Sequence, residues 1–242
     1  MTVALQDLIP VPSEAERLAA QRQLALRQQR QLELSDTRRA RVLDAARRVF
    51  AERGLDGASV REIAREAGYT AGALYSYFDS KEAIYAALLA ESLDRLNAAV
   101  QGVRVARAQP ARALAARALA WFGFYAQNPR DLDLGFYLVK GLAPRGLSPA
   151  LDRALNERLL AALRPCEEAL EALGLPADAA VRENAALFAH GMGLLLLQHT
   201  GRIRLFGQSA EALFQQYVDR LVERFDPVTA ALARPQRDLF GG

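Results

Sequence analysis

Residues 59–82 have the sequence SVREIAREAGYTAGALYSYFDSKE, in which three hydroxyl residues stand where helices start. Ser59 is followed three residues later by Glu62, which is the capping-box pattern that opens a helix. Thr70 and Ser80 each precede a further run with helical period. The segment therefore predicts two short helices and the start of a third.

A glycine and a set of small residues indicate how the first two of these helices pack. Gly68 lies between them, where a tight turn needs a residue that tolerates a positive φ. The apolar positions with helical spacing predict the inner side of the pair, and they are Ile63, Ala64, Ala67, Leu74 and Phe78. Two short helices joined by a glycine-containing turn are the layout of a helix-turn-helix.

A longer helix is expected before this segment. Ser35 or Asp36 is its predicted N-terminal cap, and Gly54 stands where a left-handed C-terminal cap is expected. Its apolar residues fall on one face, namely Val42, Ala45, Ala46, Val49 and Phe50. We therefore predict a three-helix DNA-binding domain at residues 36–82.

The predicted third helix has an outer face with almost no bulk, formed by Thr70, Ala71, Gly72, Ala73, Ser76 and Tyr77. Such a face brings its backbone close to the major groove of DNA, whose width accepts a helix. The hydroxyls of Ser59, Thr70 and the tyrosines can donate to phosphates. Lys81 stands at the positive end of a helix dipole, which disfavours a cation, so a phosphate partner would explain its position.

Residues 38–88 resemble the DNA-binding domain of the TetR family of bacterial transcriptional regulators. The resemblance rests on four stretches at matching spacing, Val49–Gly54, Ser59–Ala64, Gly72–Phe78 and Ser80–Glu82. It implies that the third helix reads the major groove. It also implies that Tyr75, Tyr77 and Lys81 hold the DNA backbone or base edges, and that Ser59 and Arg61 contact DNA from the second helix.

The N-terminal arm, residues 1–35, has two interpretations. A capping box at Ser13 and Glu16 predicts a helix that runs to about Leu34 with only a weak apolar stripe. The chain carries 31 basic and 28 acidic residues, a net charge of +3, but nine arginines lie between Arg17 and Arg48. The arm is either a solvated, partly frayed segment or a helix whose arginines touch the DNA backbone.

Residues 83–242 are predicted to form a helical regulatory domain, because the segments keep helical period and none alternates as a strand does. The resemblance implies that this domain binds small molecules and dimerises through its last two helices. Both predicted helices are strongly apolar, and the predicted interface residues are Leu194, Tyr217, Leu221 and Phe225. The alternative is that these residues only fill the core of one chain.

An aromatic cluster on two consecutive predicted helices suggests an effector pocket. Its predicted lining is Trp121, Phe122, Tyr125, Phe136 and Tyr137, with Phe188, His190 and Met192 from a later helix. Together these residues predict a mostly apolar pocket for a small effector with one or two polar groups. For each of them the alternative is plain core packing, and for His190 a hydrogen-bonded core histidine.

The sequence argues against an enzyme, a metal-binding protein and a secreted or membrane protein. The sequence shows no phosphate-cradling loop, no metal-ligand cluster and no catalytic triad with supporting context, so we expect neither an enzyme nor a cofactor. His190 and His199 are nine residues apart and out of phase on a helix. Cys166 is the single cysteine and is expected to be a small buried hydrophobe. With no secretory signal and no apolar span, we expect a cytoplasmic protein.

The prediction is thus an all-α, TetR-type homodimer that binds a pseudo-palindromic operator, represses transcription and is released by a small effector. One alternative is a helical binding or scaffold protein whose helix-turn-helix does not read DNA. Another is a regulator that activates, or that acts without a small ligand.

Overall fold

The computed structural model describes residues 14–106, 108–136 and 147–225. Within these ranges the chain forms nine α-helices and one 3-10 helix. They are α1 (Glu14–Gly57), α2 (Val60–Ala67), α3 (Ala71–Tyr75), α4 (Lys81–Gln101), α5 (Pro110–Gln127), α6 (Pro129–Phe136), α7 (Pro149–Ala172), α8 (Ala177–His199), the 3-10 helix Arg202–Phe206 and α9 (Ala210–Phe225). The expected all-α fold is confirmed.

Helix α1 corrects one sequence-based expectation. It passes through Ser35 and Asp36 without a break, so the predicted helix start at these residues is wrong. Their neighbour Thr37 donates its hydroxyl to the Glu33 carbonyl oxygen over 2.8 Å, which satisfies that polar group inside the helix. The expected positive φ at Gly54 is confirmed at 69°, where its ψ of 175° interrupts the helix before a last turn to Gly57.

The first three helices and the start of α4 enclose a small core. The predicted inner face of α1 is confirmed, because Val42, Ala45 and Phe50 are buried against α2 and α4. Ile63 from α2 and Leu74 from α3 are also buried, together with Phe78. The ring of Phe50 meets that of Tyr85 on α4 edge to face, with centroids 5.4 Å apart.

Helix α4 joins this small domain to a bundle formed by α4, α5, α7, α8 and α9. Its core contains Leu96, Leu114, Leu170 and Phe214, all fully or almost fully buried. Helix α7 continues through Pro165, whose carbonyl oxygen accepts a hydrogen bond of 2.9 Å from Arg117 on α5. Cys166 beside it is buried, as expected, and burial raises the pKa of its thiol to about 12.

Two features of the bundle go beyond the sequence-based expectations. Helix α6 is described as far as Phe136, since residues 137–146 lie outside the described residues. The 3-10 helix after α8 is unexpected, and it lies between Gly201 and Gly207, which adopt φ values of 72° and 61°. Among the described residues, none of the helices has the length and apolarity needed to cross a membrane.

Candidate nucleic-acid interface

The start of α2 is fixed by the predicted capping box. The Ser59 hydroxyl oxygen accepts the Glu62 backbone N–H over 3.3 Å, and the Ser59 backbone N–H donates to Glu62 Oε2 over 3.1 Å. At the other end, Gly68 adopts φ 75° and ψ 29°, and its N–H donates to the carbonyl oxygens of Ala64 and Arg65. The glycine turn therefore sets the angle at which α3 leaves α2.

Helix α3 is shorter than predicted but has the predicted open face. Thr70 caps it by accepting the Ala73 N–H over 3.2 Å, and it ends at Tyr75 instead of Phe78. A Cβ built on Gly72 would meet no atom within 4 Å, so none of the described residues covers that side. Tyr75 is 54% exposed. We call Thr70, Gly72 and Tyr75 the reading face.

The other predicted DNA contacts differ in solvent exposure and in whether their side chains already donate hydrogen bonds. Arg61 on α2 and Ser76 are exposed, whereas Ala71, Ala73 and Ser59 are half-buried. Two hydroxyls already donate within the chain, that of Ser59 to Glu62 Oε2 over 3.0 Å and that of Ser76 to the Ala73 carbonyl over 2.7 Å. These two groups are therefore better placed to accept hydrogen bonds than to donate to a phosphate.

The structure gives Lys81 a set of partners that sequence reasoning missed. Its ammonium donates to the carbonyl oxygens of Leu55, Asp56 and Ala58 over 2.9, 3.3 and 3.3 Å. These bonds use all three ammonium protons on the end of α1 and the loop after it. The cation at this helix start is explained by internal carbonyls, so the expected phosphate contact is corrected to a structural one.

Two arginines of α1 lie beside Tyr77 and Phe78, which follow α3, a position that the spacing of residues did not indicate. Arg38 is exposed, and a hydrogen bond from its guanidinium to Tyr77 raises its pKa above the ordinary value. The guanidinium carbon of Arg39 lies 5.4 Å from the centroid of the Phe78 ring. Tyr77 itself is half-buried against the core and not fully exposed as expected. The arginine-rich run of α1 was the available signal.

The predicted pocket residues of α5 are buried in the core of the bundle. Trp121, Phe122 and Tyr125 are 0–2% exposed. The ring of Phe122 stacks on that of Phe214 with centroids 4.2 Å apart, and the ring of Trp121 lies 5.2 Å from that of Phe214 and 5.4 Å from that of Phe188. Among the described residues, the rings of Trp121 and Phe122 thus pack against aromatic rings of α8 and α9.

The remaining predicted pocket residues are distributed as follows. His190 and Met192 are half-buried on α8. The His190 ring stacks on Tyr217 at 4.2 Å, and among the described residues its Nε2 has no hydrogen-bond partner, so the expected hydrogen bond fails at this nitrogen. Phe136 ends α6, but its side chain and the whole of Tyr137 lie outside the described residues.

A cavity of about 400 Å³ lies instead between α5 and α9. It is open to solvent, and of the predicted pocket residues that the structure describes, Phe122 alone contributes to it. Its lining also includes carboxylate and amide groups, in the set Leu119, Phe122, Gly123, Glu211, Ala212 and Gln215.

The predicted dimer interface is partly corrected. Leu194 and Leu221 are 7% and 5% exposed, because their side chains fill the core of their own chain, while Tyr217 and Phe225 are half-buried. The exposed side of α8 carries a different apolar stripe at helical spacing, which we call the α8 stripe: Val181, Ala185, Ala189, Gly193 and Leu196. A Cβ on Gly193 would meet no atom within 4 Å.

These features agree with what known proteins show. Residues 42–88 match the family of bacterial regulatory proteins described as the tetR family. The DNA-binding segment of this chain is therefore similar to that of the tetR family. The transcriptional repressor KstR2 of Rhodococcus jostii (strain RHA1) is 49% identical over 59 residues, which are 24% of this chain and 29% of that protein. Members of the tetR family are DNA-binding regulators and not enzymes.

Solved structures extend the likeness in fold to about three quarters of the chain. A transcriptional regulator from Rhodococcus sp. Rha1 is 25% identical with a TM-score of 0.58, covering 77% of this chain and 96% of the other. FadR from Bacillus subtilis, solved in complex with stearoyl-CoA, shares the fold at 21% identity with a TM-score of 0.54, covering 76% and 97%. The sequence matches span about a third of the length of the first curated relatives, 29–43%.

The described residues contain no group of three or more His, Cys, Asp or Glu side chains placed to hold a metal ion. The chemistry available here is hydrogen bonding by the hydroxyls and backbone N–H groups of the reading face and by the exposed Arg38 and Arg61. Such groups recognise DNA phosphates and base edges.

Proposed function

We propose that this protein is a tetR-type transcriptional repressor that binds a pseudo-palindromic operator as a homodimer and leaves it when a small molecule binds. The uncovered reading face carries this proposal. At Gly72 the backbone of α3 is free to approach a base-pair edge, and Tyr75 beside it is free to reach a phosphate or a base. The N-terminal capping of α2 and α3 supports the same role, since helix N-termini attract phosphates.

The homodimer is supported by the α8 stripe. Its exposed alanines and Gly193 permit a second helix to approach closely, and Leu196 adds a larger apolar surface that is 45% exposed. Two copies joined there by a two-fold axis would place two reading faces about 34–36 Å apart, one turn of DNA, or a multiple of it.

The effector is proposed to be small and mostly apolar. A relative of the same fold, FadR, holds stearoyl-CoA, which supports an apolar ligand with a polar group. Binding acts on DNA only through a difference in affinity between the two states of the protein. Helix α4 connects the bundle directly to the DNA-binding domain, because it starts shortly after α3 and packs against α5, α6 and α7 of the bundle. We therefore expect ligand binding in the bundle to act on α3 through α4.

DNA selection tests the central claim. The protein is mixed with a random-sequence duplex pool, bound duplexes are amplified, and the enriched site is measured by gel shift. We expect an inverted repeat bound at nanomolar concentration. Gly72→Leu should weaken this binding at least tenfold without loss of thermal stability, because the new side chain points into open space. Ala99→Leu, at an exposed position near the far end of α4, is the matched control and should bind as the wild type does.

Failure to enrich any sequence, with folded protein, would contradict DNA reading and favour a helical binding or scaffold protein. Assembly is tested separately by sedimentation. Ala189→Glu in the α8 stripe should give monomers that bind the selected site poorly, whereas Ala161→Glu on the exposed side of α7 should stay dimeric. A wild-type protein that sediments as a monomer at micromolar concentration contradicts the dimer.

A further inference from the structure

The first part of α1 carries an unusual run of side chains. Residues 17–32 contain four arginines, five glutamines and no acidic residue. We call this segment the α1 extension. All of its described side chains are exposed, and the first buried residue of α1 is Val42. A regular helix of sixteen residues thus projects from the domain without a partner in the described chain.

The apolar residues of the α1 extension do not form a docking stripe. Leu18, Leu24, Leu26 and Leu32 are 48–65% exposed. Spaced by six, two and six residues, they spread over about 200° around a helix with 3.6 residues per turn. A helix that pairs with a second copy needs its leucines on one seam, so this pattern disfavours a coiled coil. The four arginines are likewise spread around the helix axis. The extension is therefore positively charged on several sides.

The α1 extension ends six residues before Arg38, which contacts Tyr77 just after α3. Arg38 beside Tyr77 and Arg39 over Phe78 fix α1 against the segment that follows α3. Because α1 continues without a break from these residues back to Glu14, the extension is a continuous helical extension of the DNA-binding domain. Arg17 lies 21 residues before Arg38, about 30 Å away along the helix axis. That length exceeds the groove segment which one reading helix covers.

We propose that the α1 extension binds the phosphate backbone of duplex DNA outside the site read by α3, through Arg17, Arg22, Arg27 and Arg30. Contacts of this kind are independent of sequence, because phosphates carry no base information. Glutamine amides between the arginines supply further donors to phosphate oxygens. The proposal rests on the proposed function, since the reading face must first place the domain on DNA.

The test compares two duplexes that share the selected inverted repeat. One is trimmed to the repeat, and the other carries 15 further base pairs of scrambled sequence on each side. Wild-type protein should bind the longer duplex at least tenfold more tightly. A variant with all four arginines of the extension changed to glutamine should bind both duplexes equally. Its log-affinity against log-salt slope on the longer duplex should be smaller by about 0.9 for each phosphate that the arginines neutralise in the wild type.

A matched control removes the same charge elsewhere. Arg104, Arg112, Arg153 and Arg164 are exposed arginines of the bundle side, and their change to glutamine should keep the wild-type gain from flanking DNA. An arginine-to-lysine version of the extension should also keep most of it. The proposal would be overturned if the wild type and the extension variant showed the same increase in affinity from flanking DNA and the same salt slope. It would also be overturned if that variant changed its oligomeric state while its increase in affinity from flanking DNA stayed the same. Failure of the wild type to bind the trimmed duplex contradicts the proposed function instead.

Discussion

Arg95 on α4 holds Asp131 on α6 by an ion pair in which Nη2 and Oδ1 are 2.5 Å apart. The aspartate is 8% exposed, whereas the arginine side chain is about half exposed. The Tyr85 hydroxyl on α4 also donates to the Leu134 carbonyl oxygen on α6 over 2.7 Å. Two polar contacts thus tie the helix that leads to the reading face to a helix of the bundle.

Removing Arg95 should destabilise the protein, because it leaves the Asp131 carboxylate buried without its partner. We expect Arg95→Ala to cost about 1–3 kcal/mol, or a fall in melting temperature of about 2–4 °C per kcal/mol. The double variant Arg95→Ala/Asp131→Ala should cost less than the sum of the single changes, since the unpaired charge is then gone. Additive effects in thermal denaturation would show that the pair contributes no coupling.

Lys81→Met should lower stability and leave the salt dependence of DNA binding unchanged. The variant lacks three hydrogen bonds to the carbonyl oxygens that follow α1, so we expect a melting temperature several degrees lower. Arg61→Ala, at an exposed position on α2, is the comparison and should reduce the salt slope by about one for each phosphate that Arg61 neutralises, while the fold stays stable. A stable Lys81→Met with a reduced slope would restore the phosphate role.

Two glycines of α8 should respond oppositely to alanine. A Cβ on Gly191 would lie 2.8 Å from Phe214 Cε2 and closer still to Trp121 Cη2, and both rings are held in the core. We expect Gly191→Ala to cost about 1–3 kcal/mol through overpacking. In the Ala189→Glu background, where the α8 stripe is expected to have no partner helix, Gly193→Ala meets open space and should gain about 0.5–1 kcal/mol from reduced backbone freedom. Denaturant unfolding followed by Trp121 fluorescence measures both, and equal effects would contradict this packing.

Acidification should loosen the contact between α8 and α9. Burial lowers the pKa of His190 below its ordinary value of 6.5, so the folded state holds this proton less tightly than the unfolded chain. The stability is therefore fully present above pH 6.5 and falls as the pH drops through that value. Melting temperatures between pH 7.5 and 5.5 should decrease more in wild type than in His190→Phe, which keeps the stack on Tyr217 without a titrating group. Parallel pH profiles would contradict the assignment.

Local chemistry explains which elements were predictable. The caps at Ser59, Thr70 and Ser80 each act on an N–H three residues later, so the sequence contains the whole interaction. The wrong helix start in α1 also has a local cause. Ser35 and Asp36 are residues typical of an N-terminal cap, but the helix continues through both of them.

Tertiary contacts explain the rest. The partners of Lys81 lie 23–26 residues earlier in the chain, and the ring that packs on Trp121 comes from α9, so neither was visible in the spacing of residues. Whether an aromatic cluster lines a pocket or fills a core depends on which rings meet it from distant helices. The same holds for Leu194 and Leu221, which lie on the predicted helical stripes but face inward.

The Lys81 ammonium joins three helix ends at one point: the end of α1, the residue before the α2 cap and the first residue of α4. Three hydrogen bonds from one ammonium group hold these helix ends together and oppose sliding of one helix past another. We therefore expect a tilt of α4 to carry α1 and α2 with it, and α3 through the glycine turn at Gly68. A small displacement in the bundle would then reach the DNA side as a change in the angle of α3.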